Sequence, residues 1–162
     1  MTATITKEIR EFFITDTIGY NLVAFLINMP SLGNTDTPTN DELLNRENLT
    51  MASAAAQEVT DASYSRYIAT IDPADIIEDN DGKFSVSVTA TFTPTESNPI
   101  GPVTHVVWAR GANLVGADPI INGNNRGDTT GTVYKVEPLV AAPQTLIYPV
   151  VFSPTINIEI AI

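Results

Sequence analysis

Residues 83–93 read KFSVSVTATFT. Phe84, Val86, Val88, Ala90 and Phe92 fall on one side of an extended backbone, and Ser85, Ser87, Thr89, Thr91 and Thr93 on the other, because side chains along a strand alternate faces with a period of two. One wall is apolar and the other is made of hydroxyls, which is the pattern of a half-buried strand. The hydroxyl wall holds no acid, base or metal ligand, so this stretch speaks for structure and not for catalysis.

Working outward, residues 78–82 (EDNDG) supply a turn, and Asp81-Gly82 suits a hairpin connection into the 83–93 strand. Pro94 ends that strand, and 96–102, with two prolines, reads as a loop. Residues 103–110 (VTHVVWAR) form the next strand, with Thr104, Val106 and Trp108 on one side and Val103, His105, Val107 and Ala109 on the other. A long loop over 111–131 precedes strands at 133–140 and 144–152, and 155–162 (TINIEIAI) alternates once more. Upstream, 20–27 (YNLVAFLI) is a continuous apolar run of buried-strand length, and 64–71 (YSRYIATI) is a strand stopped at Asp72-Pro73.

Helical signals are few. Ile5, Ile9, Phe12 and Phe13 stand at helical spacing over 5–14. Within the polar segment 28–57, Thr39 followed by Glu42 makes a capping box ahead of a brief helix through Arg46, and the alanine-rich 51–57 is either helical or irregular. About seven strand candidates against at most three short helices predict a mainly β chain, an antiparallel β-sandwich of Ig-like or jelly-roll-like kind with a short N-terminal helix or arm. The expected organisation is one β domain over 1–162, with a helix or arm at 1–14, a loop-rich insertion at 28–57, and a sandwich core from 64–162 together with 20–27.

Charge narrows the partners. The 162 residues carry a net charge of −11, and between Asp36 and Asp81 only Arg46 and Arg66 are basic. Such a chain repels a phosphate backbone, so no nucleic-acid partner is expected. The longest apolar run is far shorter than the ~20 residues a bilayer span takes, and 1–10 is polar where a secretion signal needs an apolar run, so no membrane partner is expected either. With no cysteine there is neither a disulfide framework nor a thiolate metal site.

No catalytic, cofactor-binding or metal-binding residues are expected. The one histidine, His105, lies mid-strand with no G-x-S-x-G elbow in the chain, and a lone strand histidine is a packed, hydrogen-bonded residue before it is a base. Carboxylates are plentiful in the acidic belt, but nothing fixes the separation a glycosidase pair needs. Asp79-Asn80-Asp81-Gly82 fails as a calcium loop, since the first and last ligand positions would fall on Ile77 and Val88. Arg126-Gly127-Asp128 spells an integrin tripeptide inside a Gly/Asn loop where turn chemistry accounts for it, although the loop is a place where a partner could touch.

Three pieces carry a resemblance. The amphipathic 5–14 leads into the apolar 20–27. Residues 58–66 (EVTDASYSR) form an acidic lead-in to an aromatic-x-Arg strand. The strand at 101–110 is of Val-Thr-His type and is followed by a small-residue turn with Asn113 and Leu114, then by two closing strands. Together these resemble small tailed-bacteriophage virion proteins of the head-decoration (cement) and tail-fibre-like group. The chain departs from that pattern in having Ile100-Gly101-Pro102 where a tryptophan-glycine usually precedes the threonine-histidine, and in a longer segment between Asn28 and Ser63. The resemblance implies a non-enzymatic, β-rich structural protein that is made in the host cytoplasm and sits on the capsid exterior. Its partners would be the major capsid protein and its own copies in a homotrimer, with contacts made by 1–14 and part of 28–57. The alternative is a tail-fibre or adhesin-type module binding host-surface carbohydrate, with Tyr64, Tyr67 and Tyr134 as candidate aromatics.

Overall fold

The computed structural model describes residues 8, 21–34, 37–110, 120–121, 124–125, 127, 129–140 and 142–160. The expected helix or arm at 1–14 therefore lies outside the described residues, apart from a helical Glu8. The chain is mainly β, at 40% strand against 18% helix, and its sheets are antiparallel, as a β-sandwich requires.

In chain order the elements are β1 (Asn21–Ile27), α1 (Asn40–Glu47), α2 (Met51–Ala56), β2 (Tyr67–Thr70), β3 (Ile77–Glu78), β4 (Phe84–Thr89), β5 (Ile100–Val103), β6 (His105–Arg110), β7 (Ile120–Ile121), β8 (Asn124–Asn125), β9 (Thr132–Pro138), β10 (Gln144–Leu146) and β11 (Thr155–Ile160). A four-stranded sheet runs β2-β1-β6-β9 and a three-stranded one β11-β4-β3; β10-β5 and β7-β8 pair separately. The two central strands of the larger sheet explain their own sequences. Leu22–Ile27 and His105–Ala109 are buried at every position, so both faces of β1 and β6 are covered and the runs are apolar without alternation.

The smaller sheet alternates as residues 83–93 require. Phe84, Val86, Val88, Ala90 and Phe92 are buried, and the intervening Ser87, Thr89, Thr91 and Thr93 are exposed. In register with β4, Val86 faces Ile158 and Val88 faces Ile156 on the inner side, while Ser87 faces Asn157 and Thr89 faces Thr155 on the outer. The hydroxyl wall is zipped to β11, Ser87 Oγ donating to Asn157 Oδ1 at 3.1 Å and the Thr89 and Thr155 hydroxyls meeting at 2.8 Å. Pairing continues irregularly past β4, with Phe92 and Phe152 exchanging backbone hydrogen bonds at 2.9 and 3.0 Å.

Local chemistry placed the turns and caps. Asp79 Oδ1 accepts the Asp81 and Lys83 amides, each at 2.9 Å, and Gly82 takes φ +76°, so EDNDG is the β3–β4 hairpin turn. Thr39 and Glu42 form the full capping box at the start of α1, and Thr50 with Ser53 does the same for α2, which settles 51–56 as helical with Gln57 as the C-cap.

Four expectations are corrected. The 111–131 segment, read as a loop, carries the antiparallel β7–β8 pair. The 64–71 strand shortens to β2, because Tyr64 and Arg66 turn inward to a buried carboxylate instead of joining a ladder. β5 begins inside the expected 96–102 loop and takes Val103 from the expected 103–110 strand, pairing with β10 until the chain crosses at Thr104 into the four-stranded sheet. The 144–152 strand stops at Leu146, where the chain turns with Val150 N–H donating to the Ile147 carbonyl at 3.1 Å.

Candidate functional site

Among the described residues, two buried polar clusters and an apolar turn stand out from simple packing. The first cluster is built on Glu58. An isolated bridge between Ile27 and Glu58 brings the carboxylate to the end of β1. Tyr64 and Arg66, two residues apart in extended chain, point the same way. Glu58 Oε1 accepts from the Tyr64 hydroxyl at 2.6 Å and from Arg66 Nε at 2.8 Å; Oε2 accepts from Arg66 Nη2 and from the Gly127 amide, both at 2.7 Å. The Arg66 guanidinium lies 4.3 Å from the centre of the Phe25 ring, a cation–π contact. The ion pair is almost wholly buried, with side-chain exposures of 3% for Glu58 and 2% for Arg66, so each charge depends on the other for solvation. The Tyr64 hydroxyl in turn accepts the Leu26 amide at 3.2 Å. Burial, then the neighbouring Glu58 charge and its hydrogen bond, push the phenol well above its ordinary value, while the Leu26 amide and Arg66 pull it back. Tyr64 is therefore a neutral donor and not a base.

The second cluster is centred on His105, fully buried in β6. Its Nε2 meets the Gly33 carbonyl at 2.6 Å, and its Nδ1 meets Thr104 Oγ1 at 2.8 Å. A carbonyl only accepts, so the proton sits on Nε2 and Nδ1 is the acceptor. The same Gly33 carbonyl accepts from Arg46 Nη2 at 2.9 Å, and Arg46 Nε donates to the Leu32 carbonyl at 2.6 Å. Burial lowers the imidazole from its ordinary value; the Gly33 hydrogen bond opposes this, and the Arg46 charge adds to the lowering. His105 stays neutral and packed, as expected of a lone strand histidine.

Cavities lie beside both clusters. One of about 280 Å³ is lined by Glu58, Asp61, Asn28, Gly101 and Pro102, and one of about 200 Å³ by His105, Thr104, Glu42, Asn34 and Pro143. Several polar groups on their walls are already engaged. Asp61 Oδ2 accepts the Gly101 amide at 2.9 Å, Glu42 Oε2 accepts the Thr39 amide at 2.9 Å, and Asn34 Nδ2 donates to the Ala142 carbonyl at 2.9 Å. Among the described residues, no group of histidines and carboxylates converges as a metal site would need, and no helix is long and apolar enough to cross a membrane.

Of the tripeptide at 126–128, Arg126 and Asp128 lie outside the described residues. Gly127 is an anchor instead of a ligand, at φ +76° with its amide on the buried Glu58. Of the aromatics named for an adhesin, Tyr64 is fully buried, Tyr67 is half-buried, and Tyr134 is exposed. Reasoning from strand pattern missed Tyr148, which stands 53% exposed in the turn after β10. No known protein family, curated protein or solved structure matches this chain.

Proposed function

We propose that this chain is a non-enzymatic viral structural protein, a decoration or cement protein that binds the outside of a capsid shell and braces it. The observation that carries this reading is α1. None of its residues is buried, and Leu43 and Leu44 stand 45% and 55% exposed. It is fastened to the Pro30–Leu32 turn by Arg46 and by Asn45 Nδ2, which donates to the Ser31 carbonyl at 2.9 Å. A capped helix that contributes nothing to the core, within the segment 28–57, is well suited to docking through its two leucines. Together with the apolar stripe of 5–14 it supplies the contact. The polar clusters support the same reading, because their hydrogen bonds are spent inside the fold.

The energetic logic is burial plus multivalency. Several modest contacts from one oligomer become effectively intramolecular once the first forms, so a shell lattice is held by patches too small to bind singly. Genome-filled capsids lacking the protein should co-sediment with it. Deleting 1–14, or replacing Leu43 and Leu44 by Asp, should abolish that binding while the circular dichroism of the sandwich persists. Undiminished capsid binding by both variants overturns the assignment. Tight binding on a glycan array, lost on replacing Tyr134 or Tyr148, would favour the adhesin-type reading, and the exposure of those two rings is what recommends it.

A further inference from the structure

We infer that the turn at 147–151 (IYPVV) is a self-association surface, where copies of this chain meet around a symmetry axis. Ile147, Tyr148, Val150 and Val151 are 63%, 53%, 65% and 47% exposed, so one short turn displays four large apolar side chains. Isolated apolar residues on a surface are ordinary, but a contiguous group of them marks an interaction site.

Charge identifies the occupant. The chain carries −11, so two copies repel one another over most of their surface. Residues 138–158, however, contain no Asp, Glu, Lys, Arg or His, so the turn sits in the middle of a charge-free stretch. An acidic or basic partner would find no complementary charge in the turn or in the residues that flank it along the chain, whereas a second copy finds an apolar, uncharged counterpart identical to itself. Near a twofold or threefold axis identical residues face each other, and an uncharged turn is what such a position tolerates.

Size sets the strength. The exposed parts of these four side chains amount to roughly 300–400 Å² per copy, near the largest patch of an ordinary monomer. That is short of the ~800 Å² a partner gives to a stable interface. Association through this turn is therefore weak, and concentration drives it. Salt strengthens it, because screening removes the repulsion between acidic bodies without touching the apolar contact. An interface made of ion pairs would respond in the opposite direction.

The surface deepens the capsid-binding reading only in its homo-oligomeric part, and its test needs no capsid. Sedimentation velocity of the full chain from micromolar to millimolar concentration should show rising mass, more so at ~0.5 M than at ~0.05 M salt. Ile147→Asp with Val150→Asp should weaken association at least tenfold, and Tyr148→Ser should weaken it by less. The exposure of all three residues leaves the core intact, which circular dichroism checks. Leu43→Asp with Leu44→Asp should leave self-association unchanged even if it abolishes capsid binding. A wild type that stays monomeric at millimolar concentration in high salt overturns the proposal, as does equal association of the Ile147/Val150 variant or association that salt weakens. Binding of monomeric wild type to neutral phosphatidylcholine vesicles, lost in that variant, would give the turn to a lipid surface and overturn it too.

Discussion

Replacing Glu58 by Gln keeps the shape of the side chain and removes its charge. The carboxylate takes four hydrogen bonds, from the Tyr64 hydroxyl, Arg66 Nε and Nη2, and the Gly127 amide. An amide offers one acceptor oxygen and presents an N–H₂ to the remaining donors, so at least one donor pair is set against another. Arg66, 2% exposed, loses the Glu58 charge that pairs with it. Breaking a buried ion pair from one side costs ~3–5 kcal/mol. The Phe25 ring beneath the guanidinium keeps a cation–π contact of ~0.5–2 kcal/mol, which places the expected loss near the lower end. At roughly 2–4 °C per kcal/mol for a chain of this size, thermal unfolding should fall by about 6–12 °C. The companion variants are Arg66→Met and the double change. Removing both charges should cost clearly less than the sum of the single losses, with a coupling above ~1 kcal/mol. Lys135→Met serves as the contrast, because Lys135 and Glu137 pair at 2.6 Å with 49% and 32% of their side chains exposed, and such pairs contribute ~0–1 kcal/mol. Urea titration monitored by circular dichroism reads all four. A Glu58→Gln loss below ~1 kcal/mol, or additive single losses, would refute the account of the cluster as mutual solvation.

His105 makes stability pH-dependent. Burial lowers its folded value, so as pH falls below ~6.5 the unfolded chain takes up the proton first. Stability should then decline, by at most ~1.4 kcal/mol per pH unit, and level off below the folded value; His105→Gln should flatten that window in urea titrations at stepped pH. The two helix caps should behave differently. Thr50→Ala should lower global stability by ~1 kcal/mol, since α2 buries Met51 and Ala54, whereas Thr39→Ala should show mainly as faster amide exchange within α1, which buries nothing. Gly101→Ala should destabilise the β5–β10 pair by more than ~1 kcal/mol. Gly101 holds φ +142°, and an added Cβ would meet the Gln144 carbonyl oxygen and Thr145 Cα at 2.9 Å, both of them backbone atoms. A thermal shift indistinguishable from wild type would overturn that.

What the sequence disclosed was local. Residues 83–93 give the alternation of β4 directly, and Thr39 with Glu42 gives the α1 cap, because each signal is complete within a few residues. The clusters were illegible for a physical reason: each is closed by a backbone group. Glu58 is closed by the Gly127 amide from 69 positions away, and His105 by the Gly33 carbonyl from 72. Every residue other than proline carries such an amide and every residue such a carbonyl, so no side-chain pattern announces them. Tyr64 and Arg66 were nearer to legible, since i and i+2 in extended chain share a face, but a ladder strand and an inward-facing loop share that spacing. The apolar run at 144–152 failed differently. Hydrophobicity along a sequence cannot separate a strand wall from an exposed apolar turn, and Leu146 is buried while Ile147 stands in solvent.

Both clusters attach to the same short piece of chain. Leu26 donates to Tyr64 and accepts the Val59 amide at 3.1 Å; Ile27 accepts the Thr104 amide at 2.9 Å; Met29 donates to Thr104 Oγ1 at 2.7 Å. Segments 57–66, 101–105 and residue 127 therefore converge where β1 ends, and directional hydrogen bonds set the geometry of that junction. Apolar packing alone would hold these segments together without selecting their register, since hydrophobic contacts are non-directional. The buried charges belong to that selection. Their removal should cost stability and specificity of fold while leaving the Leu43–Leu44 and 147–151 surfaces on the outside, chemically unaltered. Binding surfaces carried by segments the core does not need can change partner without unfolding the body. That separation is the strongest physical reason to look for this chain's function in its exposed apolar residues and not in its buried polar ones.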